Sequence, residues 1–303
     1  SPVTVINTNV SAGMAANAIA RNDRVMGTAM ERLSTGKRVN SAADDAAGLA
    51  ISSRMASQVK GLEMAARNAN DGISMIQTVE GAAKEILNIM SRMKELAVQG
   101  ASGTYSDTDR DALDLEFQAL RAEITRVQAN TTWNGMKLMD DDDGDGTAGE
   151  SKSVSLQIGD SSGQTLALTF KDWSLEETSD ATTTTAYGDT KTSSNADADQ
   201  AMSGIDLQSA ATADKAISAL DLAITNASAE IATYGAYINR LEHASDNLTN
   251  VAQNTDASRS RIEDADYAAE TSNLAKTQII AQAGTAMLAQ ANQIKQTVLA
   301  LLR

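Results

Sequence analysis

Apolar residues recur with helical spacing along most of the chain. Over 12–37, Ile19, Met26 and Leu33 fall every seventh residue, flanked by Ala15, Ala18, Val25 and Ala29. Gly36 stands where a left-handed helix terminator is expected. After the loop 37–43, Ser41 lies three residues before Asp44, the spacing of a capping box with Asp replacing Glu. A longer pattern covers 44–99. From Leu62 through Ala65, Ala69, Gly72, Ile76, Val79, Ala83, Ile86, Met90 and Met93 to Ala97, small or apolar residues alternate at a and d, which predicts a coiled coil. The small residues imply close approach of a partner helix. Gly100 and Gly103 interrupt the pattern. A third helix opens at Asp107, with Leu113, Phe117, Leu120, Ile124 and Val127 on its stripe.

The middle of the chain reads differently. Asn134-Gly135 is a turn signal. Val154–Ile158 alternates apolar and polar, 159–163 is turn-like, and Thr165–Phe170 alternates again, which predicts a β-hairpin near 154–170. Residues 171–205 are rich in Thr, Ser and Asp and read as a short insert. Heptads return over 209–255. A last helix, 264–301, carries Ile280, Gly284, Met287, Ala291, Ile294, Val298 and Leu301 on one stripe. The expected fold is mainly α: a long antiparallel coiled-coil helical bundle made from both chain ends, with a small β-hairpin and a short acidic insert. Neither helical half can bury its stripe alone.

Composition sharpens this picture. Of the 303 residues, 42% are apolar, yet the aromatics number only 2 Trp, 5 Tyr and 2 Phe. That favours helices packed closely over one thick core. A single proline, Pro2, leaves long helices uninterrupted. The net charge of −15 makes nucleic acid a poor partner, because phosphate contacts need clustered Lys and Arg. Much of that charge lies in 140–215, where sixteen Asp and Glu face four Lys. The middle is therefore expected to face solvent, and the nearly neutral remainder permits self-association. With no cysteine, disulfides and thiol metal sites are excluded. No apolar run is long enough for membrane insertion. The N-terminus lacks the ordered segments of a cleaved signal, so export would take another route.

Candidate chemistry is sparse. Thr35-Gly36-Lys37 lacks the flanking residues of a phosphate loop and reads as a helix end. Asp141-x-Asp143-x-Asp145-Gly146 resembles half of a calcium loop, but Lys152 stands where the bidentate Glu belongs. His243, the one histidine, lies on a polar face and cannot make a two-histidine zinc motif. No catalytic constellation emerges, so the chain is read as a non-enzyme with no cofactor.

Several short segments, in order, resemble the bacterial flagellins. At the N-terminal side these are Asn7-Thr-Asn, Glu31-Arg-Leu-Ser-Thr-Gly-Lys-Arg-Val-Asn40, Asp44-Asp-Ala-Ala-Gly-Leu-Ala-Ile51, Asn70-Asp-Gly-Ile73, Glu95-Leu-Ala-Val-Gln99 and Trp133-Asn-Gly135. At the C-terminal side they are Ser260-Arg-Ile-Glu-Asp-Ala-Asp-Tyr267, Gln282-Ala-Gly284 and Leu288-Ala-Gln-Ala-Asn292. The resemblance covers about 1–170 and 205–303, and the Ser-Pro start departs from the usual opening.

This resemblance implies a secreted structural subunit of the extracellular flagellar filament, the propeller of motility, exported without a cleaved signal. Its implied partners are further copies of itself, an export chaperone, and cap and junction proteins. It implies terminal helices of the filament core at 1–43 and 260–303, a helical rod at 44–170 and 206–259, and an outward variable insert at 171–205. Assembly is assigned to Ile19, Met26, Leu33, Ile280, Met287, Ile294 and Leu301. A Toll-like innate-immune receptor is implied to grip Arg92, Leu96 and Glu116. The terminal helix, marginal alone, is expected to be mobile in the monomer and to fold on polymerisation. The rival readings are a hook–filament junction protein and an adhesin or polysaccharide-binding protein. The latter would use Trp173 and Tyr187 in the insert as sugar platforms.

Overall fold

The structure is a computed structural model that describes residues 6–140, 151–175, 185–187, 202 and 204–302. Among these, five helices and two small antiparallel sheets follow in order: α1 (Val10–Thr35), α2 (Ala46–Ala101), α3 (Asp107–Asn130), β1 (Thr132–Trp133), β2 (Met136–Lys137), β3 (Lys152–Gln157), β4 (Thr165–Phe170), α4 (Ala210–Glu263) and α5 (Tyr267–Leu301). The chain divides into two compact units, one of 1–60 with 252–303, the other of 61–251.

In the larger unit, α2, α3, α4 and the β3–β4 hairpin enclose one continuous core. Ile76, Val79, Ile86, Met90, Met93, Phe117, Ile124, Tyr234 and Leu241 are fully buried in it. Most lie on the heptad stripes, as a 3.5-residue period requires for a two-sided seam. Ser106 caps α3 through a capping box with Asp109, whose carboxylate is held below its ordinary range by the Ser106 hydroxyl and N–H. Asn134 (φ 49°) and Gly135 (φ 76°) turn β1 into β2, both in the left-handed region that a tight primed hairpin turn needs.

The predicted hairpin forms with Lys152 opposite Phe170 and Gln157 opposite Thr165. Leu166, Leu168 and Phe170 point inward and their neighbours outward. The hairpin docks on α2. Asn68 Nδ2 donates to the Gln157 carbonyl at 2.9 Å. A Cβ at Gly72 would collide with Leu156 Cδ1, so the glycine makes room for the sheet.

Two expectations are corrected. Ser41 does not cap a helix. The N–H groups of Asn40 and Ser41 donate to Asp44 Oδ2 at 3.0 Å each, closing a turn, and α2 begins later at Ala46. The capping role passes to Asp45, whose Oδ1 accepts from the Gly48 N–H at 2.9 Å. Part of the insert, moreover, does not face solvent. Trp173 and Tyr187 are buried with rings 5.6 Å apart in an edge-on pair. Trp173 Nε1 donates to the Tyr234 hydroxyl at 2.9 Å, the Tyr187 hydroxyl to the Trp173 carbonyl at 3.0 Å, and Asn226 Nδ2 to the Tyr187 carbonyl at 2.9 Å. The large apolar area of the two aromatics outweighs the polar average of the segment around them. The calcium-like run 141–146 and most of 171–205 lie outside the described residues.

Candidate assembly surface

In the smaller unit, α1 and α5 pack as an antiparallel pair. Arg32 meets Glu270, Asn22 meets Thr277 and Ile19 meets Gly284, so positions rise along one helix as they fall along the other. The covered positions on α1 include the series Ala12, Ala15, Ile19, Asn22, Met26, Ala29 and Leu33, with Thr28 and Arg32 beside it. On α5 they are Glu270, Leu274, Thr277, Ala281, Gly284, Leu288, Ala291, Lys295 and Val298. Both sets alternate three and four apart, the spacing of a coiled-coil seam. The seam is thin. A Cβ built on Gly284 would lie 2.9 Å from Ile19 Cγ1, so the backbones approach closely there. Asn22 Nδ2 donates to the Thr277 carbonyl at 2.8 Å, and Arg32 pairs with Glu270 at 3.1 Å. Such polar contacts inside a seam fix register more than they add stability.

The turn after α1 is tied to the turn before α5. Gly36, at φ 71°, ends α1 and its N–H donates to the Arg32 carbonyl at 2.9 Å. Its carbonyl accepts from the Ala265 N–H at 3.0 Å. The Glu263 carbonyl accepts from the Arg38 N–H at 2.6 Å, and the Ile262 carbonyl from the Arg38 guanidinium at 2.7 Å. The Glu263 carboxylate receives Lys37 Nζ at 2.6 Å and the Ser52 hydroxyl at 2.7 Å, which together hold it below the usual carboxylate range. Asp266 then caps α5, accepting from the Ala268 and Ala269 N–H groups. Two sequence segments that looked like separate motifs, 31–40 and 260–267, are therefore the two sides of one junction. Glu263 stood in a quoted segment without any role read for it, and Ser52 had no signal of its own in the sequence.

The residues expected to drive assembly divide between two faces. Ile19, Met26 and Leu33 lie on the seam between α1 and α5. Ile280, Met287, Ile294 and Leu301 do not. They stand exposed on α5, each one residue from a seam position or at the helix end, with exposures from 43% to 82%. Together with Val10, Met14 and Val25 on α1, they leave long apolar stripes open on the outer faces of the pair. Of the residues assigned to an immune receptor, Arg92 and Glu116 are exposed and joined at 3.0 Å, with Arg92 also bound to Glu95 at 2.9 Å. Leu96 is 1% exposed and packs in the core, beyond the reach of a surface partner. His243 is exposed, and Lys37 is engaged by Glu263, which fits the helix-end reading of 35–37.

Comparison with known proteins adds the family context. Residues 6–143 match the bacterial flagellin N-terminal helical region, and residues 217–302 match the bacterial flagellin C-terminal helical region. The chain is similar to the flagellin of Halalkalibacterium halodurans, 42% identical over 300 residues, covering 99% of this chain and 100% of that one. It is 40% identical over 311 residues to the flagellin of Bacillus subtilis, covering 98% of this chain and 99% of that one. Among solved structures it is similar to the crystal structure of Bacillus cereus flagellin. That match is 32% identical with a TM-score of 0.45 and covers 64% of this chain and 94% of that one.

Proposed function

The chain belongs to the bacterial flagellin family and is a secreted structural subunit of the extracellular flagellar filament, and from that premise we propose that its α1–α5 pair is the device that joins one subunit to the next. The observation that supports this reading is the apolar stripe Ile280, Met287, Ile294 and Leu301 left open on α5. A solvent-exposed apolar stripe of this length marks a surface that meets other protein. Residues 1–43 and 260–303 then form the filament core, and 44–170 and 206–259 the rod. The same faces serve the export chaperone, cap and junction partners in turn. The pair is weakly held and opens readily in the free subunit, and is locked on addition to the filament.

Seeded polymerisation tests this. Full-length subunit is expected to extend short filament seeds, followed by light scattering and electron microscopy, and a variant lacking 1–43 and 260–303 is expected not to. Growth by the truncated variant overturns the reading. Hydrogen exchange tests the ordering step: amides of 12–37 are expected to exchange quickly in dilute monomer, and strong protection there contradicts it. We infer that recognition by a Toll-like receptor rests on Arg92 and Glu116, since Leu96 is covered. Arg92→Ala and Glu116→Ala are each expected to weaken receptor binding, and unchanged binding by both removes the proposal.

A further inference from the structure

The 12 methionines of the chain separate by exposure. Met75, Met90, Met93, Met139 and Met202 are buried in the larger unit, and Met26, Met55 and Met136 are partly covered. Four stand open: Met14 at 69%, Met30 at 55%, Met64 at 50% and Met287 at 67%. Three of the four, Met14, Met30 and Met287, lie on the α1–α5 pair. Met287 stands seven residues from both Ile280 and Ile294, inside the open stripe of α5. Met14 lies four residues from Val10, which is also exposed on α1. There is no cysteine to react first.

We propose that these three methionines make the unassembled subunit sensitive to oxidation, so that a peroxide blocks its addition to the filament. This rests on the reading of α1 and α5 as the joining surface. In the reaction the thioether sulfur attacks the O–O bond. One oxygen becomes the sulfoxide oxygen and the other leaves as water, so the sulfur is oxidised and the peroxide reduced. A flexible apolar side chain becomes polar and chiral on the joining surface, at Met287 in the middle of an apolar stripe. Burying that oxygen against a neighbouring subunit without a donor opposes association. The change is reversible by methionine sulfoxide reductases, so the surface can be restored.

The test treats purified full-length subunit with hydrogen peroxide, locates sulfoxides by mass spectrometry of peptides, and measures elongation on untreated seeds. Met14, Met30, Met64 and Met287 are expected to oxidise before the buried methionines, and elongation to fall about tenfold or more. Reduction by the two sulfoxide reductases is expected to restore it. The triple variant M14L/M30L/M287L is expected to elongate after the same treatment, whereas M64L is expected to remain sensitive. Normal elongation by wild-type subunit carrying all three sulfoxides overturns the inference, as does equal loss in the triple variant. If the triple variant fails to elongate untreated, the reductase result and oxidation of finished filaments decide. Oxidation of Met14, Met30 and Met287 as fast in filaments as in free subunit counts against the inference. Untreated wild type that ignores seeds refutes the joining surface itself, a result separate from any effect of peroxide.

Discussion

Gly284 shows how much one missing side chain does at the α1–α5 seam. Its hydrogen faces Ile19 at a distance where a methyl group does not fit, and the far end of Ile19 has little room to turn aside in a close-packed seam. Gly284→Val is therefore expected to push the helices apart. Helix propensity works in the opposite direction, since glycine inside a helix is costly by about 1 kcal/mol relative to alanine. Valine recovers only part of that gain because of its branched side chain. Overpacking of about 1–3 kcal/mol outweighs it. Circular dichroism melts should show a lower first transition, and an unchanged or higher one would mean that the seam relaxes freely. Tyr234 is the corresponding single residue of the larger unit. Tyr234→Phe leaves Trp173 Nε1 buried without its acceptor, a loss of about 1–3 kcal/mol that urea unfolding followed by tryptophan fluorescence should detect. Burial also pushes the Tyr187 and Tyr234 hydroxyls well above the ordinary phenol range. A raised folded value means that this stabilisation is complete below the unfolded phenol range and declines as pH rises above it. Tyrosinate absorbance from these two should appear only together with unfolding.

At the scale of elements, the junction between α1 and α5 depends on the charge of Glu263. Its folded carboxyl titrates below its unfolded one because Lys37 and Ser52 favour the anion. The stabilisation is therefore full above the unfolded carboxylate value and is lost as pH falls through the folded value. Glu263→Gln should lower the melting temperature of the α1–α5 unit near pH 7, and the difference from wild type should shrink as pH falls below the ordinary carboxylate range. A difference that persists at low pH would assign the effect to shape instead of charge. The helices themselves were legible in the sequence, since a and d positions filled by Leu, Ile and Met leave little choice of face along α2 and α4. The face of α5 was not. That helix is apolar on more than one side, and its seam mixes Leu274, Leu288 and Val298 with small Ala281, Gly284 and Ala291 and polar Glu270, Thr277 and Lys295, while Ile280, Met287 and Ile294 point outward. Periodicity alone puts Ile280, Gly284, Met287, Ala291, Ile294 and Val298 on one stripe, whereas in the structure Gly284, Ala291 and Val298 are covered and Ile280, Met287 and Ile294 stand exposed. Leu96 was misplaced for a related reason: a motif of neighbouring residues on a helix spans several faces, and only the fold decides that Arg92 is outside and Leu96 inside.

At the scale of the whole molecule, the two compact units hold very different cores. Among the described residues, every one of the largest fully buried side chains, from Trp173 and Phe117 to Leu138, belongs to 61–251. The other unit buries chiefly Ala29, Val39, Val59 and Ala252, along with polar Asn22, Ser52, Glu270 and Thr277. Since burial of large apolar groups supplies most of the driving force for folding, the two units should differ in stability enough to unfold as separate steps. Calorimetry of the full-length subunit is expected to give two transitions, with the α1–α5 unit melting first. Removing 1–43 and 260–303 should delete the lower transition and leave the upper one within a few degrees, because the buried core of 61–251 keeps all of its members. A single transition carrying the full enthalpy would mean that the termini are as firmly folded as the rod. The order of melting also bears on assembly. A subunit whose rod stays folded while its ends remain weakly held can spend the free energy of the exposed α5 stripe on contacts with neighbours instead of on its own monomer. Stabilising the pair in isolation, for example by replacing buried seam Thr277 with valine of like size, should then slow seeded elongation even as the lower transition rises.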